Sequence, residues 1–166
     1  KNQKPSITYM KIILVGKAAS GKDFLKRKMQ KKGFKSGVSH TTRPARANEV
    51  NGEDYHFIDK VKFNEMIAQD KFIEYMEFNG WFYGQTEEDF NKSDIMIMSK
   101  DGLDMLPKKY RSQCMVIYLD TPVLDRLERL NNRNDLNDTI SRRMKTDDEQ
   151  FKSFKDYEIR ITNPDF

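Results

Sequence analysis

Long apolar runs, disulfides and a dominant charge sign are all missing from this 166-residue chain. Runs such as Ile12–Val15 fall far short of the roughly 20 residues a membrane-spanning helix needs. The one cysteine, Cys114, excludes an intrachain disulfide and fits a reducing compartment, so a cytoplasmic setting is expected. Neither charge sign prevails, with Lys+Arg 30 against Asp+Glu 26. Repeats and low-complexity segments are also lacking, as is a charged-then-apolar leader. Lys1–Tyr9 reads as a flexible prefix, with Met10 a candidate start. What is present suits one globular unit: 37% hydrophobic and 11% aromatic residues exclude a disordered chain. The net charge of +4 and the pI near 9.0 point to an anionic partner, either nucleic acid or a phosphorylated small molecule.

Hydropathy patterning predicts strands and helices in alternation. Lys11–Val15 reads as a buried parallel strand. Residues 22–32 read as a helix with Phe24, Leu25 and Met29 on its apolar side, and Gly33 as its stop. Phe34–Ser39 is a second strand candidate, His40–Asp54 a polar loop and Tyr55–Ile58 a short strand. A helix is expected over 61–69. A hairpin is expected around Asn79-Gly80, between 72–78 and 81–83. Further strands are expected at 95–98, 115–119 and 158–161, with helices near 103–109, 122–131 and 139–155. The fold expected is α/β, a parallel-sheet core with helices on both faces. Residues 10–39, 85–130 and 139–166 would build that core. Residues 40–84 would form an inserted small α+β lobe, and 131–138 a lid.

Chemistry enters where the first strand ends. Gly16-Lys17-Ala18-Ala19-Ser20-Gly21-Lys22-Asp23 spaces glycine, four residues, glycine and lysine as a phosphate-binding P-loop does. Small residues let successive backbone N–H groups wrap an anion at a helix N-terminus. Lys22 adds a point charge for the outer phosphates of ATP. Asp23 stands where a magnesium-binding hydroxyl is usual. Its carboxylate is a candidate ligand for Mg2+, or simply a favourable first-turn residue.

A second anion site is indicated by Arg43 and Arg46, since arginine grips phosphate through forked hydrogen bonds. Downstream, Tyr55 and Tyr83 offer hydroxyls. A glutamate such as Glu74 can accept from guanine N1–H and its exocyclic amine. Together, Ser39–Phe57, Phe72-Ile73-Glu74 and Tyr83-Gly84 resemble the guanylate kinases, P-loop kinases of nucleoside monophosphates, over nearly the whole chain. The resemblance implies Arg43, Arg46, Tyr55 and Tyr83 on the phosphate of GMP or dGMP, and Ser39 and Glu74 on the guanine. Gln85 would replace the family's hydroxyl base contact. The resemblance further implies that Arg129, Arg133 and Arg143 surround the donor phosphates, and that Asn163 borders the adenine.

Two departures stand out beside Asp23. Gln85 is an amide, and the end of the 95–98 strand carries Ser99, Lys100 and Asp101 in place of the family's acidic residues. His40 reads as a loop residue beside Ser39, and His56 as structural. The implied activity is ATP- and Mg2+-dependent phosphorylation of GMP or dGMP by a monomer or homodimer, with no membrane association. A broader deoxynucleotide kinase and a non-catalytic binding module of the same fold remain alternatives. Nucleic-acid binding through Lys26–Lys32 is disfavoured, because that stretch reads as a solvated helix face.

Overall fold

The computed structural model describes residues 10–132, 139–163 and 165. Two four-stranded sheets organise it. The larger sheet has the order β6-β1-β7-β8, from β6 (Ile95–Ile97), β1 (Lys11–Gly16), β7 (Cys114–Leu119) and β8 (Ile159–Ile161). Every pairing in it is parallel. Ile13, Leu14 and Val15 are fully buried, as expected of a central strand covered on both faces. The expected parallel α/β architecture is therefore present.

The smaller sheet runs β3-β2-β5-β4. It comprises β2 (His40–Thr41), β3 (His56–Phe57), β4 (Phe72–Phe78) and β5 (Trp81–Thr86). The predicted hairpin is β4–β5, turning at Asn79 and Gly80, both with positive φ. Helix α2 (Lys60–Ala68) covers this sheet through Phe63, which is fully buried. Phe63 stacks on Phe72 at 4.5 Å and on Phe82 at 5.4 Å.

The remaining helices are α1 (Lys22–Gln30), α3 (Glu87–Lys92), α4 (Lys100–Met105), α5 (Lys108–Arg111), α6 (Val123–Asn131) and α7 (Ile140–Phe151). Several differ from the sequence reading. Helix α1 stops at Gln30 because Gly33, at φ 96°, closes it. Gly33 N–H donates to Gln30 O, and Phe34 N–H to Met29 O, the pattern of a Schellman motif. Its faces also differ: Phe24 is 60% exposed while Lys26 is 4% exposed, with Asp54 close to its charge.

Phe34–Ser39 is not a full strand. It pairs with β6 through a single bridge, Ser36–Ile95. Within the expected loop, His40–Thr41 is a strand, too short for hydropathy to reveal. The helix expected over 103–109 is two helices. Pro107 holds Leu106 in extended backbone, at ψ 120°, and breaks the run. Helix α7 ends at Phe151, not Lys155. There Phe151 and Phe154 both pack on Tyr118, at 5.4 and 5.2 Å. The short α3 was not anticipated, although Thr86 and Asp89 form its N-terminal cap. No helix among the described residues is long and apolar enough to cross a membrane.

Replacing Phe63 by alanine removes the ring that joins α2 to the smaller sheet. Urea denaturation should show a loss of about 3–5 kcal/mol. A loss below about 1 kcal/mol would mean that α2 is not held by this stack.

Candidate active site

The loop after β1 is built for close backbone approach. A Cβ on Gly16 would stand 2.6 Å from Leu119 O and 2.7 Å from Ser20 Oγ, so only glycine fits. Ala19 and Gly21 take positive φ, 60° and 99°, which turns successive N–H groups toward one concavity. The loop is anchored from outside. Thr121 Oγ1 donates to Ser20 O at 2.8 Å, and Arg129 Nη1 to Ala19 O at 3.1 Å. Lys22 Nζ donates to Gly16 O at 2.6 Å and Lys17 O at 2.9 Å, which holds the ammonium at the loop's mouth.

An acidic residue that the sequence reading missed also sits there. Asp147 of α7 accepts from Ala18 N–H at 2.8 Å and from the buried Arg126 at 3.1 Å. Desolvation raises the Asp147 pKa, outweighing the Ala18 hydrogen bond and the charges of Lys22, Arg126 and Lys17. A carboxylate thus rests against one of the loop N–H groups, that of Ala18. Asp147 lies far along the chain from the loop, on a segment whose pattern shows only an amphipathic helix.

The paired arginines converge on that loop. Lys22, Asp23, Arg43, Arg46 and Arg143 line one cavity with the loop backbone. Glu49, also missed from sequence, organises the pair. Arg43 Nη2 donates to both Glu49 oxygens at 2.8 and 3.0 Å, and Arg46 N–H to Oε2 at 2.7 Å. Burial opposes the charge on Arg43, but the Glu49 bond and charge prevail and raise its pKa. The same contacts overcome burial at Glu49 and lower its pKa. Arg43 is only 6% exposed. Removing either partner would therefore strand a charge with little solvent.

A second cavity adjoins the first and shares Lys22, Tyr55, Phe78, Tyr83 and Asp147 with it. Ser39, Glu74, Met76, Met98 and Ser99 line its inner part. Tyr55 and Tyr83 meet edge to face at 6.2 Å, and burial followed by the Asp23 charge raises the Tyr55 pKa. Burial pushes Glu74 up to about 8, against a hydrogen bond from Gln85 N–H. Gly102 permits this arrangement, since a Cβ there would stand 3.1 Å from Glu74 Oε2. Ser39 Oγ donates to Gln85 Oε1 at 2.8 Å. Gln85 itself lies behind the cavity wall, and its Nε2 is buried without a hydrogen-bond partner among the described residues.

Not every predicted residue joins these cavities. Arg129 meets the loop only from behind. Asn163 is exposed and accepts from Asp165 N–H at 2.9 Å, a local turn. Asp101 turns toward α7, where Gln150 Nε2 donates to it at 2.8 Å. Ser99 caps α4 by accepting from Gly102 N–H, and Lys100 lines the inner cavity while paired with Asp104. Of the lid expected over 131–138, Asn131 ends α6 and Asn132 is its C-cap, while 133–138, Arg133 included, lie outside the described residues.

Comparison with known proteins identifies the family. The family model described as guanylate kinase matches residues 9–166. A guanylate kinase from Nostoc sp. is 33% identical over 165 residues, covering 93% of this chain and 82% of its own. One from Schizosaccharomyces pombe is 35% identical over 138 residues, covering 77% of this chain and 68% of its own. The crystal structure of guanylate kinase from Anaplasma phagocytophilum matches in fold with a TM-score of 0.69 at 24% identity, over 95% of this chain and 79% of that one.

Glu74 gives a signature in stability. Its pKa in the folded protein, about 8, is above the ordinary value of 4.5. The folded state therefore holds the proton more tightly than the unfolded state. Its contribution is fully present below about pH 4.5 and is lost as pH rises to about 8. Glu74→Gln should make the melting temperature less pH-dependent across that window and raise it at pH 8.5. An unchanged pH profile would show that Glu74 is ionised in the fold.

Proposed function

Because the chain belongs to the guanylate kinase family, we propose that its two joined cavities pass the γ-phosphoryl group of ATP to GMP or dGMP. The products are ADP and GDP or dGDP. One observation carries the reading at residue level: Lys22 and the Arg43–Arg46 pair face a single cavity. In-line phosphoryl transfer needs donor and acceptor phosphates held together with their charge offset, and little else from the protein.

The donor side is the loop 16–23, whose N–H groups and Lys22 take the β- and γ-phosphates. The acceptor side is Arg43 and Arg46 with the Tyr55 and Tyr83 hydroxyls. Glu49 fixes the two arginines before any phosphate arrives, so little side-chain entropy is lost on binding. Arg143 faces the junction and offsets charge on the transferred group, a role shared with Arg133. Arg129 steadies the loop through Ala19. The acceptor is already an ionised phosphate, so no general base is required. Closing the 40–84 lobe and the 131–138 lid would exclude water, which would otherwise hydrolyse ATP.

Base recognition is assigned to the inner cavity. Glu74, once ionised, accepts from guanine N1–H and its amine. Gln85 Oε1 accepts the hydrogen bond that the Ser39 hydroxyl donates and leaves the serine oxygen facing the ligand as an acceptor. Asn163 at the adenine edge rests on the family resemblance alone. Magnesium, a hard cation, suits Asp23, a carboxylate lining the phosphate cavity. It usually binds through one or two carboxylates together with substrate phosphates. It would neutralise phosphate charge there.

ADP release measured across the ribo- and deoxynucleoside monophosphates tests the assignment. Turnover should be confined to guanine nucleotides and should fall by orders of magnitude in Lys22→Ala with folding intact. A broad response would favour a relaxed deoxynucleotide kinase, and unchanged Lys22→Ala turnover would remove the loop from the chemistry. Asp147→Asn keeps an acceptor for Arg126 but removes the competing charge, so the KM for ATP should fall several-fold at saturating GMP. A rise in KM would mean that the carboxylate assists magnesium-bound ATP.

A further inference from the structure

Three side chains that take no part in phosphoryl transfer come together on the smaller sheet. His40 and His56 are register partners in the parallel β2–β3 pair, so their side chains leave the same face. Their rings lie 4.4 Å apart. Asp89, in the first turn of α3, points between them. His40 Nδ1 is 3.9 Å from Asp89 Oδ2, and His56 Nε2 is 3.7 Å from Asp89 Oδ1. One ligand atom from each residue lies within 4.8 Å of the others.

We propose that His40, His56 and Asp89 form a binding site for a transition-metal ion of the zinc type.

The separations are too long for hydrogen bonds and suit an ion placed between the groups. Zinc binds imidazole nitrogen at about 2.0–2.1 Å and carboxylate oxygen at about 2.0–2.2 Å, which sets tetrahedral ligand atoms about 3.3–3.4 Å apart. The two His–Asp distances need to shorten by about half an ångström, and the widest separation within the cluster, at most 4.8 Å, by up to about 1.4 Å, through side-chain rotations. His40 Nδ1 is buried and has no hydrogen-bond partner among the described residues. A buried polar atom of this kind calls for an unseen partner. Asp89 is already oriented, since Thr86 Oγ1 donates to its Oδ2 at 2.7 Å. Such outer hydrogen bonds commonly fix a metal-binding carboxylate.

Two imidazoles with one carboxylate favour zinc, cobalt or nickel over magnesium or calcium. The His56 side chain is 35% exposed, which gives the ion an entry route and water a fourth position. A bound ion would tie β2 and β3 to α3. It would stiffen the strands that precede Arg43 and follow Tyr55 without touching either phosphate.

The test uses tag-free protein stripped with a chelator and free of nucleotide. Zinc is titrated calorimetrically, and cobalt is read by visible absorption. One equivalent should bind, with a raised melting temperature and the intense bands of four-coordinate cobalt. Asp89→Asn and His56→Gln should each weaken binding at least about tenfold while leaving zinc-free kinase turnover near wild type. If Asp89→Asn disturbs the fold, His56→Gln, at a partly exposed position, decides the matter. Absence of stoichiometric binding, or equal affinity in wild type and variants, would overturn the site. Loss of zinc-free turnover in an Asp89→Asn variant that keeps the wild-type fold would also overturn it, by assigning the carboxylate to the kinase reaction.

Discussion

Positive charges crowded around one cavity repel one another, and the local structure is organised by that repulsion. Lys22, Arg43, Arg46 and Arg143 share a cavity, and Arg126 is buried just behind it. Two carboxylates make this tolerable. Glu49 bridges Arg43 and Arg46, and Asp147 bridges Arg126 and the phosphate-loop backbone. In a site partly removed from solvent such contacts are stronger than on the surface. They hold the cations in place, so that in the proposed reaction phosphate charge would meet a prepared site.

Glu49 and Asp147 play different parts within that balance. Glu49 comes from the same loop as the arginines it holds, and it neutralises them while leaving Arg43 and Arg46 on the cavity wall. Asp147 reaches the loop from a distant helix and accepts from one of its N–H groups, that of Ala18. In the proposed reaction the first carboxylate prepares the acceptor side, and the second competes at the donor side. Asp23 adds a third negative group where a hydroxyl is usual. The donor side is therefore more acidic than the P-loop pattern alone would suggest.

Much of this was legible in the chain. The Gly16–Asp23 spacing marked the loop, and a hydrophobic run ahead of it marked the strand that carries it. Asn79-Gly80 marked the hairpin that delivers Glu74 and Tyr83. The motif Ser39–Phe57 placed Arg43 and Arg46 together because their spacing is local. What escaped was tertiary. Nothing near Asp147 in sequence indicates that α7 presses it against Ala18, and Glu49 looks like any loop acid until the two hydrogen bonds it accepts from Arg43 are seen. Lys26 was read as solvated because helical periodicity cannot register Asp54 arriving from another segment. The two-residue strand at His40 has no hydropathy signature, so the three-residue cluster with His56 and Asp89 emerged only from the fold.

The central claim is that donor and acceptor cradles open into one cavity, and a single ligand can test it. Adenosine joined to guanosine through a pentaphosphate spans both cradles at once. Calorimetry should show one molecule bound per chain, far more tightly than ATP or GMP alone and displaced by either, because linked binding gains effective concentration. Affinity no better than that of the separate nucleotides, or competition with only one of them, would contradict the shared cavity.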